Sequence, residues 1–469
     1  MTAGTEVATL ETLLANQSDP DRLVLIRGAA ILSMDPSVGD LVGDLLIRGK
    51  VIEAVGPSIE APAAAVIDAA GKILVPGFCD PHIHSWQGQI PRLIANQDSD
   101  PADDQRNYFS VYHRTFAPAY RPEDMYVGTL VTMLSALNGG ITTVCDNSHN
   151  SRSPDHSDAA VQALLDAGIR GVHASGPPTF GQWDQQWPSD VHRLRETFFA
   201  SDDQLVTLRL HPRAAFPGDH PDVLRVRRDL DLWMSFDAGQ LLPLEALYAS
   251  GDFDGRESYN HGTGFTEAQR RAVVDHGAKV NIAPRIDTQF GTDGLLEGFP
   301  STQQWLDAGL RPAISGDDPA TYSIDMFTEM RVLYAFQRSM ANYARHRGDP
   351  TPPAPITLQD VLDMATLRGA EGCALNQRVG SLSPGKRADL VVVDTDDISL
   401  FPVHNAYATL VQGATPAQVD TVLVDGAVRK WRGRLVAVDL GSLKERVLRS
   451  RDHLFREAGW QGPTVDFSA

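Results

Sequence analysis

Residues 73–84 read ILVPGFCDPHIH, an apolar run that ends in two histidines two residues apart. On a β-strand, positions i and i+2 face the same way, so His82 and His84 point into one space. Two convergent imidazoles are half of a site for a borderline divalent metal. A pair of satisfied core histidines is the plainer alternative, and the LVPGFCDP context before them favours the metal. A second run, Gly309–Ile314, ends in Ser-Gly-Asp317-Asp318-Pro. A carboxylate there binds a metal or takes a proton from an activated water; the structural alternative is a helix N-cap. Asp318 suits the cap, and Asp317, directly at the strand end, suits the chemistry.

Such strand ends must share one mouth. From Ile73 to Ile314, strand-like runs alternate with helix-like runs: Thr142–Cys145, Gly171–His173, Leu205–Leu210, Leu232–Phe236 and Lys279–Ile282, with helical sequence between. That alternation is the pattern of βα units on a parallel sheet. About eight units over about 300 residues favour a closed (β/α)₈ barrel, whose active sites lie at the C-terminal ends of its strands. Both chain ends have another texture. Leu23–Leu32, Asp44–Val55 and Ala65–Ile67 read as short strands, as do Asp389–Val393, Val419–Val424 and Ala427–Trp431. Such fragments cannot bury a face alone, so they are expected to form one small composite β-sandwich domain from both termini. The expected division is 21–72 plus 377–435 for that domain, 73–376 for the barrel, and 436–469 for a C-terminal helix and tail.

Composition narrows the partners. The chain has 469 residues, 42% hydrophobic and 22% charged, with a formal net charge of −19. An acidic surface repels nucleic acid and anionic membranes, so neither is an expected partner. The three cysteines, Cys79, Cys145 and Cys373, form no CxxC pair, which argues against a disulfide scaffold or a thiolate zinc site and suits a reducing compartment. No signal peptide and no apolar run near ~20 residues is apparent, so a cytoplasmic, soluble protein is expected.

Together, VPGFCDPHIH, the late strand ending in Asp317, the DMFTEMR segment after it and the terminal GSLSPGKRADLVVVD resemble the amidohydrolase superfamily, in the branch that holds cytosine deaminase and the s-triazine chlorohydrolases. The resemblance covers nearly the whole chain. It implies a distorted barrel with a small β-sandwich, a small-molecule substrate, and hydrolysis of a C–N or C–Cl bond on a ring. Carried over by position, His82 and His84 match the first-strand metal ligands, Asp317 the last-strand acid, and His261 the sixth-strand histidine that contacts water or substrate. The fourth strand, LVTLRLH, carries no lysine, so one metal ion is expected rather than a bridged pair. The assembly expected is a homodimer.

The fifth strand departs from the family. The resemblance places a metal-binding histidine where Asp237 stands and a proton-shuttling glutamate where Gln240 stands. A carboxylate is a harder ligand than imidazole and tilts preference from zinc toward iron or manganese. Gln240 cannot carry a proton. Asp237 is therefore read as ligand or base, giving the metal set His82, His84, Asp237 and Asp317 and the catalytic set His261, Asp317 and Asp237. Trp86, Gln87, Gln240 and His149 are substrate-binding candidates. Asn147, His173, His211, Trp183 and Trp187 are read as scaffold before chemistry. The leading expectation is a metal-dependent hydrolase holding zinc or iron, with manganese third. A metal-dependent lyase or isomerase and a metal-free ligand-binding relative are the alternatives.

Overall fold

The computed structural model describes residues 8–97, 105–184, 187–201, 203–212, 220–237, 239–290 and 301–461. Two sheets organise them. One is a nine-stranded sheet drawn from both ends of the chain, in a single hydrogen-bonded network. At its centre, Ile73–Pro76 pairs antiparallel with Leu390–Val393 and parallel with Ala30 and Ile31 of Leu23–Leu32. Alternation along these strands feeds two cores. Leu74, Leu390 and Val392 pack with Val24, Ile26, Leu45 and Ile47 in the sheet's own core. Ile73, Val75, Val391 and Val393 face the other way, into the core shared with the barrel. The terminal segments thus bury one face among themselves and the other against the barrel.

The first barrel strand does not begin at Ile73, as the sequence suggests, but at Phe78. Ile73–Pro76 belongs to the terminal sheet, and the chain changes sheets at Gly77. A Cβ at Gly77 would lie 2.0 Å from Thr142 Oγ1, so only glycine allows this close crossing of the second barrel strand.

The barrel's eight parallel strands follow chain order: Phe78–Ile83, Ile141–Ser148, Arg170–Ser175, Val206–Leu210, Met234–Phe236, Glu257–Asn260, Lys279–Ile282 and Ala313–Ile314. Ring closure is slender. An isolated parallel bridge joins Ile83 to Asp317, with Asp317 N donating to His82 O at 3.0 Å and His84 N donating to Asp317 O at 2.8 Å. After the eighth strand, Asp325 caps the helix Met326–His346 by accepting from Phe327 N and Thr328 N. No helix among the described residues is long and apolar enough to cross a membrane.

A buried ion cluster ties the barrel to the terminal sheet. Arg170, at the base of the third barrel strand, donates to Asp389 at 2.8 and 3.0 Å and to Asp425 at 2.8 Å. Both Arg170 and Asp389 are excluded from solvent. Breaking a buried pair leaves an uncompensated charge and costs about 3 kcal/mol. Arg170→Met is therefore expected to lose about that much stability in denaturant unfolding, and adding Asp389→Leu should recover part of it. A single-variant loss below about 1 kcal/mol would show that the cluster does not hold the two sheets together.

Candidate metal centre

The inward positions of the first, fifth and eighth strands meet at the barrel mouth. His82 Nε2 and His84 Nε2 stand 3.2 Å apart. Asp317 Oδ1 is 3.5 Å from each, and Asp237 lies 3.5 Å from His82 Nε2 through Oδ1 and 4.0 Å from His84 Nε2 through Oδ2. Ligands around one tetrahedral ion, each at about 2.1 Å, stand roughly 3.4 Å from one another. Each carboxylate stands near that spacing from the two imidazoles, so the donor set fits a divalent cation. Protonation supports the fit. His84 Nδ1 faces the carbonyl oxygen of Asn147 at 3.1 Å and so carries the hydrogen, which leaves the Nε2 lone pair aimed at the centre.

The electrostatics of these groups are in conflict without a cation. Burial, with His84 and His261 nearby, pushes the His82 imidazole well below its ordinary value. Burial pushes the Asp317 carboxyl well above the usual carboxylate range; Asp318 and Asp237 add to this and His261 opposes it. Burial would also raise Asp237, but His211, His84 and His82 outweigh it and hold that carboxyl well below the usual range. A metal ion among them reverses the penalties on both His82 and Asp317.

His261 follows the sixth strand and reaches the same space, with Nε2 3.9 Å from Asp317 Oδ2. Both His261 and Asp317 have φ of +63°, an uncommon left-handed conformation outside glycine that turns each side chain off its strand into the mouth. On its other side, His261 Nδ1 bonds Asp287 Oδ1 at 2.8 Å. Asp287 is buried, and its Oδ2 accepts from Ala283 N at 2.9 Å, so the carboxylate is fixed at both oxygens. Burial disfavours a charged His261, but Asp287, Asp317 and Asp237 override it and raise the imidazole to about 10.

Several site groups escape a reading of the sequence. Asp287 lies in the segment APRIDTQ, which resembles an ordinary helix start. Asn260 donates to Asp237 Oδ1 at 2.9 Å and accepts from Asn281 Nδ2 at 2.9 Å. Its place beside His261 on a strand end was the available signal. His211, weighed as scaffold, puts Nε2 3.2 Å from Asp237 Oδ2. Asn147 joins the site through its backbone carbonyl to His84, while its side chain accepts from Ser235 Oγ at 2.8 Å.

The substrate-binding candidates fall into two groups. His149 sits edge-on to His84, ring centres 4.4 Å apart, and stacks on His113 at 5.0 Å. Trp86 packs edge-on against His149 and Tyr120, and Gln87 Nε2 donates to Tyr108 Oη at 2.6 Å. These residues form an aromatic wall beside the metal ligands. Gln240 lies on the turn Gly239–Leu241, where its backbone carbonyl accepts from Gln269. His173 is buried and stacks on Phe199, and burial lowers it to about 4. Trp187 donates to Ser175 O. Asp318 accepts from Thr321 N at 2.7 Å, the capping role read for it. Residues 98–104, 185–186 and 291–300, in the stretches that follow the first, third and seventh barrel strands, lie outside the described residues.

Comparisons with known proteins identify the family and the fold. The amidohydrolase family profile matches residues 73–429. Among curated relatives, a 5-methylthioadenosine/S-adenosylhomocysteine deaminase of Thermoanaerobacter pseudethanolicus is 24% identical, over 92% of this chain and 99% of its own. A 5'-deoxyadenosine deaminase of Methanobrevibacter smithii is 23% identical, over 92% and 98%. Among solved structures, a zinc-bound adenosine deaminase from Xanthomonas campestris superposes with a TM-score of 0.79 at 22% identity, covering 93% and 99% of the two chains. A zinc complex of atrazine chlorohydrolase from Arthrobacter aurescens does so with 0.76 at 21%, covering 92% and 100%. The chain belongs to the amidohydrolase family and is a metal-dependent hydrolase.

Purified protein should hold about one transition-metal ion per chain by elemental analysis. His82→Ala and His84→Ala should each abolish that content while circular dichroism stays unchanged, because the mouth contributes little to the core. Two tightly held ions, or a full complement in either variant, would contradict the assignment.

Proposed function

We propose that this chain hydrolyses a C–N bond on a small nitrogen heterocycle and releases ammonia or an amine. The observation that carries the reading is the gathering of Asp237 and Asp317 about the Nε2 atoms of His82 and His84, with His261 Nε2 beside Asp317. The deaminase names of the relatives support the substrate class. His82, His84, Asp237 and Asp317 would hold a divalent ion, which would supply acidification of a water at the mouth. The pair of carboxylates favours iron or manganese over zinc, although the similar adenosine deaminase holds zinc.

The protein's own groups handle the protons. Asp317, beside both first-strand imidazoles, accepts the proton of the attacking water. His261, held at Nδ1 by Asp287, donates from Nε2 to the charge that develops on the ring. The wall of Trp86 and His149 orients the ring by its faces and edges. Gln240 stands where the resemblance expects a glutamate, so the proton for a leaving amine comes from Asp317 or His261. A group that departs as an anion, such as chloride, needs no proton, and Gln240 favours that as the second reading. The three cysteines are free and buried, which supports action in a reducing compartment such as the cytoplasm.

A panel of aminopurines, aminopyrimidines and chlorotriazines, run in ¹⁸O-labelled water, tests the reading. One oxygen from water should enter the product with each ammonia or chloride released. Asp317→Asn should lower kcat by roughly 10²–10⁴ on the substrate found. Turnover without solvent oxygen in the product would replace the hydrolase reading with a lyase or isomerase.

A further inference from the structure

His211 follows the fourth barrel strand and is fully buried. Its Nδ1 faces the carbonyl oxygen of Ser235 at 3.1 Å and Ser235 Oγ at 3.3 Å. The serine hydroxyl spends its hydrogen on Asn147 Oδ1, at 2.8 Å, so it can only accept from the imidazole. Nδ1 therefore carries the ring hydrogen, and in the neutral ring Nε2 presents a lone pair. That lone pair has no hydrogen-bond partner among the described residues, and Asp237 Oδ2, itself an acceptor, stands 3.2 Å away. Two acceptors at that distance repel unless a cation lies between or beside them.

His84 has the same arrangement. Its Nδ1 donates to the backbone carbonyl of Asn147 and its Nε2 faces the centre. A ring nitrogen tied to a backbone carbonyl, with the other turned inward, is the usual second-shell pattern of a metal-ligating histidine. The His84 and His211 ring centres are 6.2 Å apart. Two rings bound to one ion at ~2.1 Å can stand at most about 6.5 Å apart, so these two would sit on nearly opposite sides of it.

We infer that His211 supplies a third imidazole to the metal centre, so that the fourth strand provides the nitrogen ligand displaced by Asp237 on the fifth. This rests on the metal-dependent reading above. X-ray absorption at the zinc edge of zinc-loaded wild-type protein, with imidazole multiple scattering counted, tests it. Three imidazoles are expected in the wild type and two in His211→Asn, whose zinc affinity should fall by more than the roughly 10–100-fold that loss of an outer partner costs. Two imidazoles in the wild type would overturn the inference and leave the metal reading standing, with His211 pairing to Asp237 through a proton instead. Failure of the wild type to bind zinc, iron or manganese would remove both. The wild-type count stands even if the variant does not fold.

Discussion

The seam that closes the barrel also sets the metal centre. Asp317 N donates to His82 O, and His84 N donates to Asp317 O, so the backbone of the eighth-strand acid is clasped between the two first-strand histidines. These bonds join a two-residue eighth strand to the first, and they hold three ligand side chains in register. Closure of the ring and placement of the ligands are one event. Asp80 adds to the seam from below: its buried carboxylate accepts from Gly316 N at 3.1 and 3.2 Å. A change that loosens this junction alters ligand spacing at once, since each Asp317 contact to the imidazoles depends on where that backbone lies.

Around the seam, polar groups hold one another in chains that end at the centre. Asn281 donates to Asn260, Asn260 to Asp237, and Ser235 to Asn147, whose carbonyl faces His84. Asp287 does the same for His261 from the seventh-strand side. Such partners fix ring orientation and tautomer before any substrate arrives, which is how a site keeps ligands within a fraction of an ångström. Farther out, Arg285 pairs with Glu329 at 2.6 Å and binds the helix after the eighth strand to the mouth. Arg170 clamps the barrel to the sheet made by the chain ends.

The parts of this arrangement written in local pattern were legible in the sequence. Period-2 alternation into HxH, an apolar strand ending in acid, and the strand-rich termini each follow from one short stretch, and the amidohydrolase resemblance rested on them. What depends on contacts between distant strands was not legible. Nothing near Asp287 marks it as the partner of His261, 26 positions earlier. His211 looks like one more strand-end histidine until Ser235 and Asp237 are brought beside it. The first barrel strand was begun too early because ILVP and FCDPHI read as one apolar run, and only the clash at Gly77 shows where the chain changes sheets.

The central claim is that Asp237 belongs to the metal centre and sets which ion it prefers. Apo-protein titrated with zinc, iron(II) and manganese(II), in parallel with Asp237→His, tests this most directly. With a carboxylate exchanged for an imidazole, preference should shift toward zinc relative to manganese by at least about tenfold. Equal selectivity in the two proteins would place Asp237 outside the centre and contradict the account of the fifth strand.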